Sequence, residues 1–354
     1  MDEVQARRRL LGATLIELMI AMVIGLVIVG AALALYAHGR TIYRTNERIA
    51  RLQEQGRFAL SVIEPDIELA GYYGFTNVPD VVRFVRGSNP AVTIATSREM
   101  RQYPMRAGDA LPSALGGLPA GAHVCGVNFA VDVMMPVEGS NNAFALGRGR
   151  TGCNAYQGRA RAGADSLTIR RVETQPAAAE SGRMQMYAAR FTSLSVQLMF
   201  ADGNAPGPLD ANHRIHNLVV RSYYVAQDSV GQRNLPALRV KSLTRSGASV
   251  LFDEDEIMPG IEDLQVQFGI DAGTPEPAGR ATRYVNPDFA DLPRVRVVAV
   301  RLWLRIRADE PEVGFVDART YRYADVIYTP VGAERSVRRV LMSRTVALRN
   351  ARQR

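Results

Sequence analysis

GATLIELMIAMVIGLVIVGAALALYA, residues 12–37, is the stretch that decides the architecture. From Leu18 to Ala37 it runs for 20 residues without a charge. As a helix, that is the length needed to cross the apolar core of a bilayer. The one charged residue inside the apolar run is Glu17, near its start. A secretory signal would have a shorter apolar region followed by a small-residue cleavage site, and no such site follows this run before Arg40. Arg7, Arg8 and Arg9 lie before the run and Arg40, Arg44, Arg48 and Arg51 after it, so charge counting does not fix orientation. A carboxylate near mid-membrane costs of order 2–4 kcal/mol. Glu17 therefore needs a partner, or a place near enough to the helix end to reach the headgroups.

Residues 38–75 continue the pattern at lower hydropathy. Ile42, Ile49, Leu52, Ala59, Ile63, Ile67 and Ala70 recur at spacings of three, four or seven, one apolar stripe on a helix. Arg44, Glu47, Arg48, Arg51, Glu54 and Arg57 take the polar positions, with Glu47 and Arg51 in the favourable i,i+4 order. Pro65 should kink this helix and Gly71 should end it.

Beyond residue 75 the helical period is lost. Strands are expected at 166–174, 193–201, 217–227, 236–245, 260–271, 294–308 and 320–330, each rich in branched and aromatic residues. In 294–308, Val298, Val300, Leu302, Leu304 and Ile306 alternate with Arg301, Trp303, Arg305 and Arg307, the pattern of an antiparallel strand with one covered face. Residues 139–166 read as surface loop. No regular βα alternation is present, which argues against a doubly wound nucleotide fold. The expected fold class is α+β: a long N-terminal helix, and an antiparallel sheet-rich head packed on its C-terminal half.

Motifs that would carry chemistry are weak. Gly147, Gly149 and Gly152 spell G-x-G-x-x-G, but no helix pattern follows. His213 and His216 lack the glutamate of a zinc protease and read as a loop pair. Asp253, Glu254, Asp255 and Glu256 form an acidic run. Consecutive acids cannot all face one calcium ion without loop curvature, so a solvated turn is expected. Two cysteines without a C-x-x-C argue against structural zinc. No cofactor, metal, small-molecule substrate or catalytic residue is expected, and the chain is not expected to be an enzyme. The net charge of +8 rests almost wholly on arginine, Lys241 being the only lysine. A basic surface of this kind suits anionic lipid, an acidic subunit or DNA, though no nucleic-acid motif supports DNA.

Gly12 followed by ATLIELMIAMVIGL resembles the type III signal of prepilins. The resemblance implies that a prepilin peptidase on the cytoplasmic side cuts between Gly12 and Ala13. Ala13 would then be N-methylated, and Glu17 would become the fifth residue of a filament-core helix. There it would set register against the free amine of a neighbouring subunit's Ala13. The family usually places phenylalanine after the glycine; this chain has Ala13. RLQEQGRFALSVIEPDIELAGYYGF (51–75) resembles the PilW family of minor pilins through Leu52, Gln53, Glu54, Gly56, Arg57, Phe58, Ala59, Asp66, Ile67, Ala70, Gly71 and Tyr72. MPGIEDLQVQFGID (258–271), VVAVRLWLRIR (297–307) and VLMSRTVALRN (340–350) match its usual ending.

The resemblance divides the chain into a leader (1–12), a transmembrane and filament-core helix (13–37), an amphipathic continuation (38–75) and a periplasmic β-rich head (76–354). It implies a single-pass inner-membrane protein that moves into the pilus and the cell surface. It also implies a role in priming and assembly at or near the tip, with other minor pilins and the major pilin as partners. Cell adhesion, twitching motility and DNA uptake stay open as the role of that pilus. In a periplasmic head Cys125 and Cys153 are a natural disulfide, closing a loop worth roughly 3–4 kcal/mol. In a reducing compartment they would be two buried thiols. Two other readings share the anchor: a type II secretion pseudopilin, and a membrane-tethered receptor, DNA-binding domain or enzyme.

Overall fold

The computed structural model describes residues 14–75, 79–102, 114–146, 153–190, 197–273 and 278–351. The chain divides into two compact units, Met1–Arg51 and Leu52–Arg354. One helix, α1, runs Leu15–Glu68. In the first unit α1 is exposed along its length, with Leu15 at 78% and Leu26 at 77%.

In the second unit α1 is a packing element. Leu52, Ala59, Leu60, Ile63 and Ile67 are buried, and the stripe expected from the sequence is covered from Leu52 onward. The helix carries through Pro65 to Glu68. Pro65 removes the donor for the Ser61 carbonyl, but Ser61 is exposed, so water can replace it. Gly71 takes φ +76° and its N–H donates to the Arg170 carbonyl at 3.0 Å, ending the helix where expected.

The strands among the described residues are β1 (Val82–Arg86), β2 (Asn89–Thr96), β3 (Val137–Ser140), β4 (Ser166–Val172), β5 (Ser181–Ala189), β6 (Gln197–Asp202), β7 (His213–Ala226), β8 (Ala237–Ser246), β9 (Ser249–Pro259), β10 (Ile261–Asp271), β11 (Arg283–Val285), β12 (Arg296–Arg307), β13 (Tyr321–Tyr323), β14 (Val326–Tyr328) and β15 (Arg339–Ala347). A nine-stranded sheet has the order β2-β1-β6-β5-β7-β4-β3, with β8 pairing β7 and β9 pairing β8. β11-β10-β12-β15 form an antiparallel four-stranded sheet, and β13-β14 a hairpin. The one parallel pairing among these is β1 with β6. The fold class is as expected, a long apolar helix with a β-sheet-rich head.

Several expectations need correction. The acidic run Asp253–Glu256 is the middle of β9 and not a turn. His213 and His216 lie on β7 and not in a loop. The segment 320–330 is two strands, β13 and β14. Within 139–166, Ser140 ends β3 and Asp165 is buried. Part of 193–201 lies outside the described residues. On β12, Val298, Val300, Leu302, Leu304 and Ile306 are buried as expected. The opposite face is also covered at Arg305, which is 4% exposed. A β-bulge between Ile261 and Asp263 brings both Glu262 and Asp263 to this guanidinium, at 2.5 and 3.4 Å. Arg339 reaches Glu262 at 2.6 Å, and the Tyr323 hydroxyl donates to Asp263 at 2.5 Å.

Two features set the seat of the helix within the head. A Cβ on Gly56 would overlap the Met342 sulfur and approach Ile306 Cδ1 to 3.0 Å, so glycine permits the close approach to β12 and β15. Asp66, 1% exposed, joins α1 to β4 and β7. Its Oδ1 accepts from Arg171 Nη2 at 2.7 Å and Nε at 3.0 Å. Its Oδ2 accepts from Arg221 Nη1 at 3.0 Å and the Tyr223 hydroxyl at 2.5 Å. Burial, reinforced by this carboxylate, pushes the Tyr223 hydroxyl well above its ordinary range, so it stays a donor. A second core surrounds Cys125 and Cys153, which form a disulfide with S–S 2.05 Å.

Asp66→Ala should cost about 3 kcal/mol, near the low end for a broken buried pair, because Arg221 is 39% exposed and can rehydrate. Urea denaturation of the full chain in detergent, followed by the fluorescence of Trp303, measures it; an unchanged midpoint would remove Asp66 from its structural role. A second expectation concerns pH. Burial pushes Asp165 from its ordinary 3.8 up to about 7, despite N–H bonds from Asn142 (2.7 Å) and Val266 (2.8 Å). Between those values the folded state holds a proton that the unfolded state has lost. The contribution of this group to stability therefore falls as pH rises from about 4 to about 7. His123, lowered by burial, works in the opposite sense. The difference between wild type and Asp165→Asn isolates the carboxyl. Wild type should lose roughly 1 kcal/mol or more, relative to the variant, between about pH 5 and about pH 7.5. Parallel pH profiles would contradict this.

Candidate functional site

The N-terminal part of α1 joins two chemistries, a continuous apolar surface and one carboxylate. Its most apolar 18-residue window has a mean hydropathy of 2.9, and none of it is buried. In an apolar surrounding a helix is favoured because it satisfies every backbone N–H and C=O within the segment. No charge interrupts the helix from Leu18 to Ala37.

Glu17 is bound locally, through a residue the sequence reading passed over. Its Oε2 accepts from the Thr14 N–H at 2.9 Å and the Thr14 hydroxyl at 3.1 Å. Thr14 Oγ1 accepts from the Glu17 N–H at 3.3 Å. This is a reciprocal capping box, and its signature, T-x-x-E ahead of an apolar run, is legible at Thr14–Glu17. The cap satisfies otherwise orphaned N–H groups at the helix start. Glu17 Oε1 makes no hydrogen bond among the described residues. A carboxylate offers about four lone-pair sites, so the cap leaves one oxygen for an outside cation. Gly12 and Ala13 lie outside the described residues.

The remaining candidates are structural where they are described. On β9, Glu254 and Glu256 face the neighbouring strand, while Asp253 and Asp255 are exposed, as strand alternation requires. Glu256 takes Arg239 at 3.0 Å, and Glu254 takes Lys241 at 3.3 Å and the Tyr224 hydroxyl. Arg239 also lies 3.5 Å from Glu254, so both glutamates are taken up by cations of β8, while Asp253 and Asp255 face away from them. His213 bonds Asp210 at 2.8 Å, and His216 Nδ1 bonds the Glu173 carbonyl at 2.8 Å. Three residues apart on one strand, the two rings point to opposite faces. No group of three or more metal-ligating side chains occurs among the described residues. Gly147, Gly149 and Gly152 lie outside the described residues.

The family model for type IV pilus-assembly protein W (PilW) matches residues 222–350. The prokaryotic N-terminal methylation motif matches residues 7–33. No curated protein gives a significant match. Among solved structures, a type IV-like pilin from Thermus thermophilus is similar at 16% identity, covering 53% of this chain and 78% of its own, with a TM-score of 0.26. A likeness at that score carries no weight for the fold. The prepilin motif implies processing by prepilin peptidase and association with other pilins. The prepilin signal and the apolar helix fit a protein anchored in the inner membrane, with its head in the periplasm. The PilW domain points to a structural protein. The chain is a type IV pilin-like protein with a prepilin motif at residues 7–33 and a PilW domain at residues 222–350.

Proposed function

We propose that this chain is a minor pilin that primes and takes part in assembly of type IV pili, at or near the filament tip. In this reading residues 1–12 are the leader and cleavage falls between Gly12 and Ala13. Residues 13–37 cross the membrane and then enter the filament core, 38–75 continue the helix, and 76–354 form the periplasmic head. The carrying observation is the uncovered apolar helix with a single carboxylate at its start, one oxygen of which has no hydrogen bond among the described residues. Cleavage creates a cation at Ala13, and methylation leaves that amine charged. An ammonium of one subunit against Glu17 Oε1 of the next would fix the axial register of two helices that otherwise slide on apolar surfaces. The other partners are prepilin peptidase, the major pilin, other minor pilins and inner-membrane lipid.

The mature N-terminus tests the processing step. Lys241 is the only lysine and is 7% exposed, so an amine-reactive reagent applied to the folded protein reports mainly on the N-terminal amine. Mass spectrometry of protein from sheared filaments should find a chain beginning at Ala13 and carrying one extra methyl group. Gly12→Asp should leave only the slower-migrating precursor on a gel; a mature-sized band would refute cleavage at this site.

Glu17→Gln separates the two roles of Glu17. Glutamine at this position still completes the cap with Thr14 but carries no charge. Processing should be unchanged, while incorporation into filaments falls roughly thirtyfold, the equivalent of a lost charge-assisted bond of about 2 kcal/mol. Normal incorporation of Glu17→Gln together with loss in Glu17→Ala would assign the residue to capping alone.

A further inference from the structure

The part of α1 that follows the apolar run changes its chemistry with distance along the axis. From Leu18 to Asn46 the chain has no acidic residue, and the first is Glu47. Within that acid-free stretch two arginines stand just past the run, Arg40 and Arg44. At 1.5 Å per residue they lie about 4.5 and about 10.5 Å beyond Ala37. A helical side chain leans toward the N-terminus of its helix, so both guanidinium groups reach back toward the apolar span. The headgroup layer outside the hydrocarbon is about 5–8 Å deep. Arg40 sits at that depth, and Arg44 reaches it from outside. Arg48 and Arg51 come farther along, in company with Glu47 and Glu54.

Tyr36, Arg40, Tyr43 and Arg44 follow one another at spacings of four, three and one, and share one face of α1. All four are exposed, the two tyrosines at 71%. Neither Arg40 nor Arg44 makes an ion pair or a side-chain hydrogen bond among the described residues. Tyrosine suits the membrane–water boundary, where its ring and its hydroxyl meet different surroundings. The arginines run against the usual rule. With the head in the periplasm they flank the span on the translocated side, which is normally the poorer in lysine and arginine. Loss of the leader with Arg7, Arg8 and Arg9 would leave every cation next to the span on that side.

We infer that Tyr36, Arg40, Tyr43 and Arg44 form a binding face for the headgroup phosphate of an anionic phospholipid in the periplasmic leaflet. A guanidinium fork takes two phosphate oxygens at once, and two forks one turn apart can share a headgroup. A carboxylate of a neighbouring subunit would answer the charge equally well. It would not call for cations at headgroup depth beside two boundary tyrosines, or for a stretch without acids that ends once the helix has left the interface. Bound lipid would hold the span at one depth, where apolar side chains alone let it slide. The inference rests on the reading of residues 13–37 as a membrane span, and the test separates the two.

The full chain is reconstituted in phosphatidylcholine vesicles that contain either phosphatidylglycerol or phosphatidylcholine brominated in the acyl chains near the headgroup. Tyr36→Trp places a fluorescent indole at the end of the span, and the parent chain, whose one tryptophan is Trp303, supplies the background. Arg7, Arg8 and Arg9 precede the span and do not report at this end. Brominated phosphatidylglycerol should quench the indole with about a fivefold preference over the brominated phosphatidylcholine, and about 0.5 M salt should weaken that preference. Arg40→Gln with Arg44→Gln, at exposed positions that leave the helix intact, should abolish it. Equal quenching by the two lipids, or a preference unchanged in the glutamine variant, overturns the inference while the membrane span stands. Equal quenching together with loss of filament incorporation in the glutamine variant assigns the arginines to a neighbouring subunit, and overturns it too. Quenching by neither lipid takes the span out of the bilayer and sinks both.

Discussion

An apolar helix surface of this length cannot stay in water. Each leucine, isoleucine or valine left exposed forgoes about 1.5–3 kcal/mol of burial, and no residue of the most apolar window is buried. The helix must therefore be covered from outside, by lipid or by other helices. Those two environments differ little for a hydrocarbon side chain, so moving between them is nearly neutral for most of the span. What distinguishes them is polar. Glu17 is the one charged group within the run, and a carboxylate finds a cation far more readily in a bundle of cleaved helices than in acyl chains. On the proposed reading, the asymmetry of an otherwise uniform rod rests on this one side chain.

The head is built to hold the C-terminal part of that helix firmly. Asp66 binds two arginines and a tyrosine from β4 and β7, and Gly56 lets the helix approach β12 and β15 closely. Arg344 with Glu64 at 2.9 Å and Arg349 with Glu68 at 2.6 Å line the same seam from β15 and the residues after it. These last two pairs are largely exposed and add little individually. The buried Asp66 cluster instead makes the seat unique, because a slipped helix would separate a buried carboxylate from the largely buried Arg171 and leave both unpaired. Force applied along such a helix is delivered to the sheet through fixed contacts.

How much of this is legible in the residues varies with the physics of each segment. The apolar run and its continuation show clearly because a helix repeats its burial every three to four residues. β4, β7, β8, β10 and β12 show because branched residues alternate. β5 (SGRMQMYAA) is less legible because methionine and alanine carry little strand preference. β9 is hidden because its acids are paired with β8 across the ladder, and sequence alone cannot see that Arg239 and Lys241 neutralise them. Arg305 illustrates the same limit. Alternation places it on the solvent face of β12, and only the bulge at Glu262 and the later Tyr323 make that face a buried ionic cluster. The Thr14–Glu17 cap was legible from its spacing, but the apolar run drew attention to Glu17 as a membrane charge.

The region matched by the PilW model, residues 222–350, begins within β7 and includes β8 through β15. Ile306, Met342, Arg344 and Arg349, which receive α1, all lie inside it, as does Tyr223 of the Asp66 cluster. Residues 76–221, outside both family matches, carry the disulfide and the second core. Arg98 and Arg101 of this region line a cleft of about 650 Å³ together with Arg294 and Arg296 of the matched region. The cleft is therefore a seam between the part of the head that seats the helix and the part that builds its own core.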